Sequence, residues 1–425
     1  MKVVNDLYYN IKDVRFYKSQ FKEAPEKRNI LFVDPVMNNF DFYTMIIPFL
    51  ALGVEEGKHQ TAITGMYRYS EINKIPEKYL SEQEVKWADV IVVPMSLEKF
   101  NGAGRLFEEL RQIKPSIKII QTVEFDFYEI KNDHYILEFS PEVKKQLTGE
   151  KMKEIKDSMI ERYEDNCSGA DRIIVLNPNL ATKLIDKGFS DVKFCPIYID
   201  EETFKENIDF ADTLGLKNTH GIVFVSCELI DATKSAFKEY IPIFRKLKQK
   251  YKEKFRLVVI GKNPNSLFSN LGFEVDRIQR GSIVNQMKAI VRSSADFHLV
   301  LNKKNEYSNN SEAMYTYVER GIFGIPIASI PVTPFKEIIE DRVNGYILKT
   351  RNDLPKLITA LMKDKTELIE ISTKLKNNIV SQFQLDEEKR SHLIEIFFND
   401  FVTMETGTSE IITDENQPID KVDED

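Results

Sequence analysis

The stretch from Asn309 to Ser329 reads NNSEAMYTYVERGIFGIPIAS, and it is the most informative part of the chain. Asn310 or Ser311 can cap the start of a helix, which a Gly-x-Pro turn and a short apolar run then follow. Glu312 and Glu319 lie two helical turns apart, so their carboxylates share one helix face at a separation of roughly 10 Å. They are either a working pair that faces a ligand or two solvated acids on an ordinary helix.

The chain before this stretch alternates short apolar runs with segments of helical spacing. Strands are predicted at the sequences NILFVDP (29–35), WADVIVVPM (87–95), IKIIQTVEF (117–125), ADRIIVLN (170–177) and VKFCPIYID (192–200). Alternation of this kind is typical of a parallel sheet with helices on both faces.

The same pattern restarts after Asp209. Further strands are predicted at HGIVFVSCEL (220–229), RLVVIGKNP (256–264), ADFHLVLN (295–302) and GYILK (345–349). We therefore expect an α/β protein with two Rossmann-like domains facing a cleft, where the carboxyl ends of the strands bind ligands. The predicted division is a first domain at 1–205, a second at 206–384, a final helix at 385–404 that crosses back to the first domain, and a disordered acidic tail at 405–425.

Composition sets the limits on function. The 425-residue chain carries 59 basic and 67 acidic residues, a net charge of −8. The segment 405–425 has eight acids and one lysine, so it holds −7 of that charge and the rest of the chain −1. Because the net charge outside this segment is close to zero, the composition does not support nucleic acid as the main binding partner. Without a membrane-length apolar run or a leader pattern, the sequence predicts a cytoplasmic protein, in the host cytoplasm if it is phage-encoded.

The residues that commonly hold metals are dispersed. Cys167, Cys195 and Cys227 form no Cys-x-x-Cys pair, and the five histidines show no ligand spacing. No Asp-x-Asp precedes a strand end as a metal–diphosphate clamp requires. We expect no metal and no cofactor beyond a donor substrate.

The segment VERGIFGIPIASIPVTPFKEIIEDRVNGYILK (318–349) resembles the C-terminal signature of the large retaining GT-B glycosyltransferase family typified by glycogen synthases and bacterial mannosyltransferases. The matching features are a Glu, a Gly-x-Pro turn, a Glu-Ile-Ile and an Asn-Gly before an apolar strand. The resemblance extends over about Asn29 to Phe401 and is closest to short bacterial and phage enzymes. It implies a GT-B fold whose first domain binds the acceptor and whose second binds a nucleotide-diphosphate sugar.

The resemblance also implies roles for residues of the second domain. Glu319 would accept the donor ribose hydroxyls, and Glu312, one residue off the family spacing, would contact the sugar. Lys234 would neutralise the donor diphosphate, since charge develops there in the transition state. Glu228 is nearest to the position of the family's partner arginine. Further expected donor-binding residues are Lys262, Arg280, Ile283, Asn310 and Ser311.

The first domain departs more from the family. Its first turn, DPVMNNFDFYT (34–44), lacks a Gly-Gly loop, and Asn38, Asn39 and Tyr43 can hydrogen-bond instead. Glu124 and Asp126 replace the usual His-Asp. Glu124 is then a candidate sugar contact or base, whereas both acids at a strand end can equally cap a helix.

The predicted function is transfer of a hexose from a nucleotide-diphosphate sugar to a hydroxyl acceptor such as a glycan, with retention of configuration. Two alternatives stay open at this point. One is a phage-type enzyme that glycosylates modified DNA bases, and the other is a degenerate GT-B protein that binds a partner without catalysis.

Overall fold

The structure, a computed structural model, describes residues 28–33, 39–53, 59–64, 82–95, 106–130, 148–199, 221–229, 233–261, 268–278, 283–302, 310–311 and 314–402. These residues form two six-stranded sheets, and every described strand pairing is parallel. The expected two-sheet α/β architecture is therefore confirmed.

The first sheet has the strand order β2-β1-β3-β4-β5-β6. Its strands are β1 (Arg28–Val33), β2 (His59–Thr64), β3 (Val90–Pro94), β4 (Lys118–Val123), β5 (Arg172–Val175) and β6 (Val192–Phe194). β3 and β5 are buried along their whole lengths, as expected for a sheet that is covered on both faces. The strand predicted at 192–200 was too long: β6 has three residues, because Pro196 has no N–H to continue the ladder.

Helices cover this first sheet. They are α1 (Asn39–Asp41), a π-helix (Phe42–Ile46), α2 (Ile47–Gly53), α3 (Glu82–Trp87), α4 (Leu106–Ile113), α5 (Gly149–Gly169) and α6 (Pro178–Asp186), with a 3-10 turn at Phe127–Glu129. Local chemistry fixes their starts: Thr148 accepts the Lys151 N–H before α5, and Asn177 accepts two N–H groups before α6.

The second sheet has the order β12-β11-β10-β7-β8-β9. Its strands are β7 (Val223–Leu229), β8 (Phe255–Gly261), β9 (Asp276–Ile278), β10 (Phe297–Leu299), β11 (Ile327–Ser329) and β12 (Tyr346–Ile347). Its helices are α7 (Lys234–Tyr251), α8 (Ile283–Arg292), α9 (Tyr315–Gly321), α10 (Phe335–Ile338), α11 (Leu354–Lys363) and α12 (Thr366–Phe383), with 3-10 turns at Lys252–Lys254 and Arg351–Asp353.

The last helix, α13 (Glu387–Val402), packs against α2 beside the first sheet. Ile199 pairs with Gln384 just before α13 begins, and the buried Arg172 of β5 donates to the carbonyl of Ile396 in α13 at 2.9 Å. The chain thus returns to the first sheet after completing the second. The predicted boundary at 205/206 and the tail at 405–425 lie outside the described residues and stay predictions.

One apolar core runs from the first sheet into the second and includes the final helix. Side chains of β1, α2, α9, α12 and α13 belong to a single buried cluster. Among the described residues, no helix has an apolar stretch long enough to cross a membrane. The shared core holds the strand ends of the two sheets close together, and this is where the polar side chains described next meet.

Candidate functional site between the two sheets

The short helix α9 presents its side chains where the two sheets meet. It ends because Gly324 has a φ of 62°, a left-handed conformation that suits glycine, and because Pro326 cannot continue a helix. The Gly324 and Ile325 N–H groups then donate to the carbonyls of Gly321 and Arg320. This turn feeds directly into β11, so the position of α9 is fixed by the sheet.

Glu319 is the centre of a buried polar network. Its residue exposure is 1%. The Tyr43 hydroxyl donates to Oε1 at 3.3 Å, Gln286 Nε2 donates to Oε2 at 3.2 Å, and Arg320 Nη1 donates to Oε2 at 2.6 Å. These donors come from the π-helix of the first domain, from α8 and from α9 itself. One carboxylate therefore connects both halves of the molecule.

Tyr43 reaches Glu319 from a π-helix whose five residues are all buried. Such helical irregularities are frequent at functional sites. The Tyr43 ring stacks on Tyr315 with a centroid separation of 6.3 Å and an interplanar angle of 9°. Burial, followed by the Glu319 carboxylate, raises the pKa of the Tyr43 hydroxyl well above its usual value. The hydroxyl therefore keeps its proton and acts as a donor to Glu319.

Further buried polar side chains surround Arg320, the residue that follows Glu319. The Arg320 side chain has 0% exposure, and its Nη2 lies 3.7 Å from Glu228 Oε1 near the end of β7. His298 of β10 is also buried, and its Nδ1 lies 2.9 Å from the Ser226 hydroxyl oxygen. Burial, and then the neighbouring Arg320 charge, lower the pKa of His298 well below its usual value. The His298 imidazole is therefore neutral, and the positive charge beside Glu319 and Glu228 is that of Arg320.

Asp126 forms a second bridge between the domains. Its Oδ2 accepts hydrogen bonds from Asn310 Nδ2 at 2.7 Å and Lys183 Nζ at 2.9 Å, and its N–H donates to the Ser311 hydroxyl at 3.0 Å. Oδ1 accepts the Tyr128 N–H at 3.1 Å, which caps the 3-10 turn. The Asp126 side chain is fully buried, and the bonds of this residue fix Asn310 and Ser311 beside the end of β4.

The structure brings five of the residues predicted from sequence into these two networks: Tyr43, Glu319, Asp126, Asn310 and Ser311. Asn310 and Ser311 already have helical conformation, so neither is the residue that caps the helix, contrary to expectation. Both side chains bond to Asp126. Glu124 directly follows β4 and is half-buried. Asn39, Lys234 and Ile283 begin α1, α7 and α8. Asn38, Lys262, Arg280 and Glu312 lie outside the described residues.

Sequence reasoning missed Gln286, Arg320 and Lys183. Gln286 and Lys183 sit in amphipathic helices, where a polar residue ordinarily faces solvent, so no local signal distinguishes them. Arg320 directly follows Glu319, and this adjacency is a signal: a buried helix face carrying a glutamate and an arginine in succession requires mutual compensation. Across the part of the chain that the structure describes, no group of three or more His, Cys, Asp or Glu side chains is arranged to hold a metal ion.

Two six-stranded parallel sheets, joined by a shared core and a returning C-terminal helix, define the GT-B fold. Solved structures with this architecture match most of the chain. Sucrose-phosphate synthase from Thermosynechococcus elongatus superposes with a TM-score of 0.58 at 13% identity, covering 88% of this chain and 99% of its own. Anabaena HepE, solved with UDP-glucose, superposes with a TM-score of 0.55 at 14% identity, covering 86% of this chain and 98% of its own.

S. aureus TarM, solved with UDP and alpha-GlcNAc-glycerol, gives a TM-score of 0.50 at 11% identity and covers 77% of this chain and 57% of its own. No protein-family model and no curated protein matches the sequence. At these identities the structural matches establish the GT-B fold of this chain, whereas its chemistry has to be argued from its own residues.

Proposed function

We propose that this protein is a glycosyltransferase that moves a hexose from a nucleotide-diphosphate sugar to a hydroxyl acceptor, with retention of configuration. The observation that carries the proposal is the Glu319 carboxylate, buried at the meeting of the two sheets on the helix before the Gly-x-Pro turn. A carboxylate there can accept both hydroxyls of a ribose, because its two oxygens offer about four acceptor positions.

The contacts of Glu319 support a specific proposal for how the sugar nucleotide binds. Gln286 and Arg320 belong to the second domain and hold Oε2, whereas Tyr43 belongs to the first domain and occupies Oε1. Three of the roughly four acceptor positions are taken, so a ribose that binds through both hydroxyls has to displace one of the three donors. The Tyr43 hydroxyl makes the longest of these bonds and comes from the first domain, so we propose that the ribose replaces it.

Further residues are assigned roles in binding the sugar nucleotide. Lys234 begins α7 shortly after β7, and we propose that it contacts the donor diphosphate. The assignment of Lys262, Arg280 and Ile283 to the nucleotide rests on the sequence resemblance. Glu124 and Glu312 are the proposed sugar contacts. Asp126 is committed to Asn310, Lys183 and Tyr128, so we give it a positioning role and not a contact with the sugar.

The choice of nucleotide can be narrowed by fold neighbours. HepE was solved with UDP-glucose and TarM with UDP. We therefore propose a uridine diphosphate sugar as the donor to test first, with a glycan or another hydroxyl compound as acceptor. Metal independence also belongs to the proposal.

The test is a thermal unfolding panel of the full chain with UDP, GDP, ADP and dTDP, each with and without EDTA. A ligand that binds the folded state raises the unfolding temperature by mass action, and a hundredfold excess over Kd contributes about 2.7 kcal/mol. We expect a shift with one nucleotide in both conditions. No shift with any of the four would favour a degenerate GT-B protein, and a shift abolished by EDTA would contradict metal independence.

A further inference from the structure

The Arg320 guanidinium has unused hydrogen-bonding capacity in a fully buried place. Its Nη1 donates to Glu319 Oε2, but Nε and Nη2 form no hydrogen bond with any described residue. Nη2 is 3.7 Å from Glu228 Oε1, which is an ion pair too long to be a hydrogen bond. The side chain itself has 0% exposure, so solvent does not satisfy these N–H groups either.

Buried N–H groups of a charged side chain are costly when they lack acceptors, and each one calls for an explanation. Arginine offers five donors in a planar fork that matches the oxygens of carboxylates and phosphates. A guanidinium with Nη1 fixed on Glu319 and two nitrogens, Nε and Nη2, without hydrogen bonds is therefore set up to receive an oxyanion from outside the chain.

The surroundings of Arg320 indicate where that oxyanion would come from. Glu228 lies near the carboxyl end of β7, and Gln286 and Glu319 lie on the helices that flank β10. This is the edge of an open parallel sheet at which ligands bind. Arg320 is also the direct neighbour of the carboxylate to which we assign the ribose, so one ligand can contact both side chains.

Glu228 adds a second negative charge beside the Arg320 guanidinium. Two carboxylates, Glu319 and Glu228, flank the Arg320 guanidinium. A second anion would be repelled while Glu228 holds its position. The Glu228 side chain is 12% exposed and that of Glu319 is 0% exposed, so Glu228 is the carboxylate whose position an incoming anion can reach.

We propose that Arg320 binds a phosphate oxygen of the nucleoside diphosphate, and that Glu228 occupies this anion position until the ligand displaces it. The inference rests on the proposed function and deepens it, since it assigns the diphosphate contact to a residue of this chain next to the ribose-binding acid. It requires that the two charges have opposite effects on ligand affinity.

Calorimetric titration of the full chain with uridine and with UDP tests this requirement; if another nucleotide of the thermal panel gives a larger shift, that diphosphate and its nucleoside are used instead. Uridine reports the contacts of the base and the ribose, and the difference between the two ligands reports the phosphates. We expect Arg320→Gln to weaken UDP binding by at least about tenfold more than it weakens uridine binding, because the loss of the Arg320 bond to Glu319 affects both ligands and the loss of the phosphate contact affects only UDP. Glu228→Gln should strengthen UDP binding by about fivefold or more, with little change for uridine.

Several outcomes separate this proposal from the proposed function. Equal losses for uridine and UDP in Arg320→Gln, or weaker UDP binding in Glu228→Gln, would overturn the diphosphate role. If Arg320→Gln does not fold, as judged by thermal unfolding, Arg320→Lys and Glu228→Gln decide the matter, since both keep a cation at 320. If the unmodified protein binds none of the four nucleoside diphosphates of the thermal panel, the proposed function itself fails, and this inference falls with it.

Discussion

The hydroxyl of Tyr43 donates to Oε1 of Glu319 across 3.3 Å, and this bond joins the two domains at the proposed donor site. Both residues are buried, with exposures of 1% each. The Tyr43 hydroxyl thus donates a hydrogen bond to the carboxylate oxygen that we assign to a ribose hydroxyl. If Glu319 binds the ribose as proposed, nucleotide binding competes with this contact between the domains.

Replacing Tyr43 by Phe removes the competing hydroxyl and keeps the ring that stacks on Tyr315. Because a hydrogen bond to a carboxylate contributes about 1.5–3 kcal/mol and the ligand no longer has to break it, we expect nucleoside diphosphate to bind about fivefold more tightly or better. Titration calorimetry measures the change.

Tyr346→Phe is the matched control for this substitution. Its hydroxyl is buried in β12 and has no hydrogen-bond partner among the described residues, so its removal should leave affinity unchanged. Weaker binding by Tyr43→Phe would show that the hydroxyl helps the nucleotide instead of competing with it.

Gly321 sets the packing distance between α9 and α12. A Cβ at this position would lie 2.6 Å from Cγ1 of the buried Ile379, closer than side chains allow. Gly321→Ala should therefore lower the free energy of unfolding by about 1–3 kcal/mol, measured by the denaturant midpoint. Gly149→Ala is the control, because nothing lies within 4 Å of its added Cβ in the first turn of α5. A Gly321→Ala midpoint equal to that of the control would refute this packing account.

His298 predicts a pH dependence of stability. Its pKa is lowered in the folded protein by burial and by Arg320, whereas the unfolded chain has an ordinary histidine pKa of about 6.5. Below pH 6.5 the unfolded state binds the extra proton, so stability falls as the pH decreases, by up to about 1.4 kcal/mol per pH unit.

His298→Asn should lack this component, because asparagine does not titrate and can keep a hydrogen bond to Ser226. The comparison requires denaturation curves at several values between pH 5 and 8. Equal dependence on pH in the two proteins would mean that the pKa of His298 is the same in the folded and unfolded states, against the expected lowering by burial.

Lys183 compensates the buried charge of Asp126. The side-chain exposure of Asp126 is 0% and that of Lys183 is 18%. Lys183→Met leaves Asp126 without its cation, so the free energy of unfolding should fall by about 3 kcal/mol.

Lys187 provides the control for Lys183. Its side chain is exposed, and its Nζ lies 4.5 Å from the centroid of the Tyr128 ring. Lys187→Met should change stability by less than about 1 kcal/mol. Equal effects of the two substitutions would show that the ion pair with Asp126 adds nothing to stability.

The fold could be predicted from the sequence because parallel strands buried on both faces appear as continuous apolar runs, as in β3 and β5. Glu319 could be singled out because the Gly-x-Pro turn fixes its distance from β11. Gln286 and Lys183 could not, since their partners are 33 and 57 residues away in sequence. The local expectation that Asn310 or Ser311 caps a helix was wrong because both residues already have helical conformation, and their side chains bond to the distant Asp126.

Release of nucleoside diphosphate from UDP-, GDP-, ADP- and dTDP-glucose, compared between the unmodified protein and Glu319→Gln, tests the central claim most directly. Gln keeps the volume of Glu319 but loses the charge that accepts the ribose hydroxyls, and Lys187→Met serves as a folded control with unchanged turnover. The account predicts release from one donor and a loss of at least about tenfold in Glu319→Gln, because a hydrogen bond to a charged group contributes about 1.5–3 kcal/mol. Unchanged release by Glu319→Gln would contradict the site, and no release by the unmodified protein from any of the four donors would contradict the proposed function.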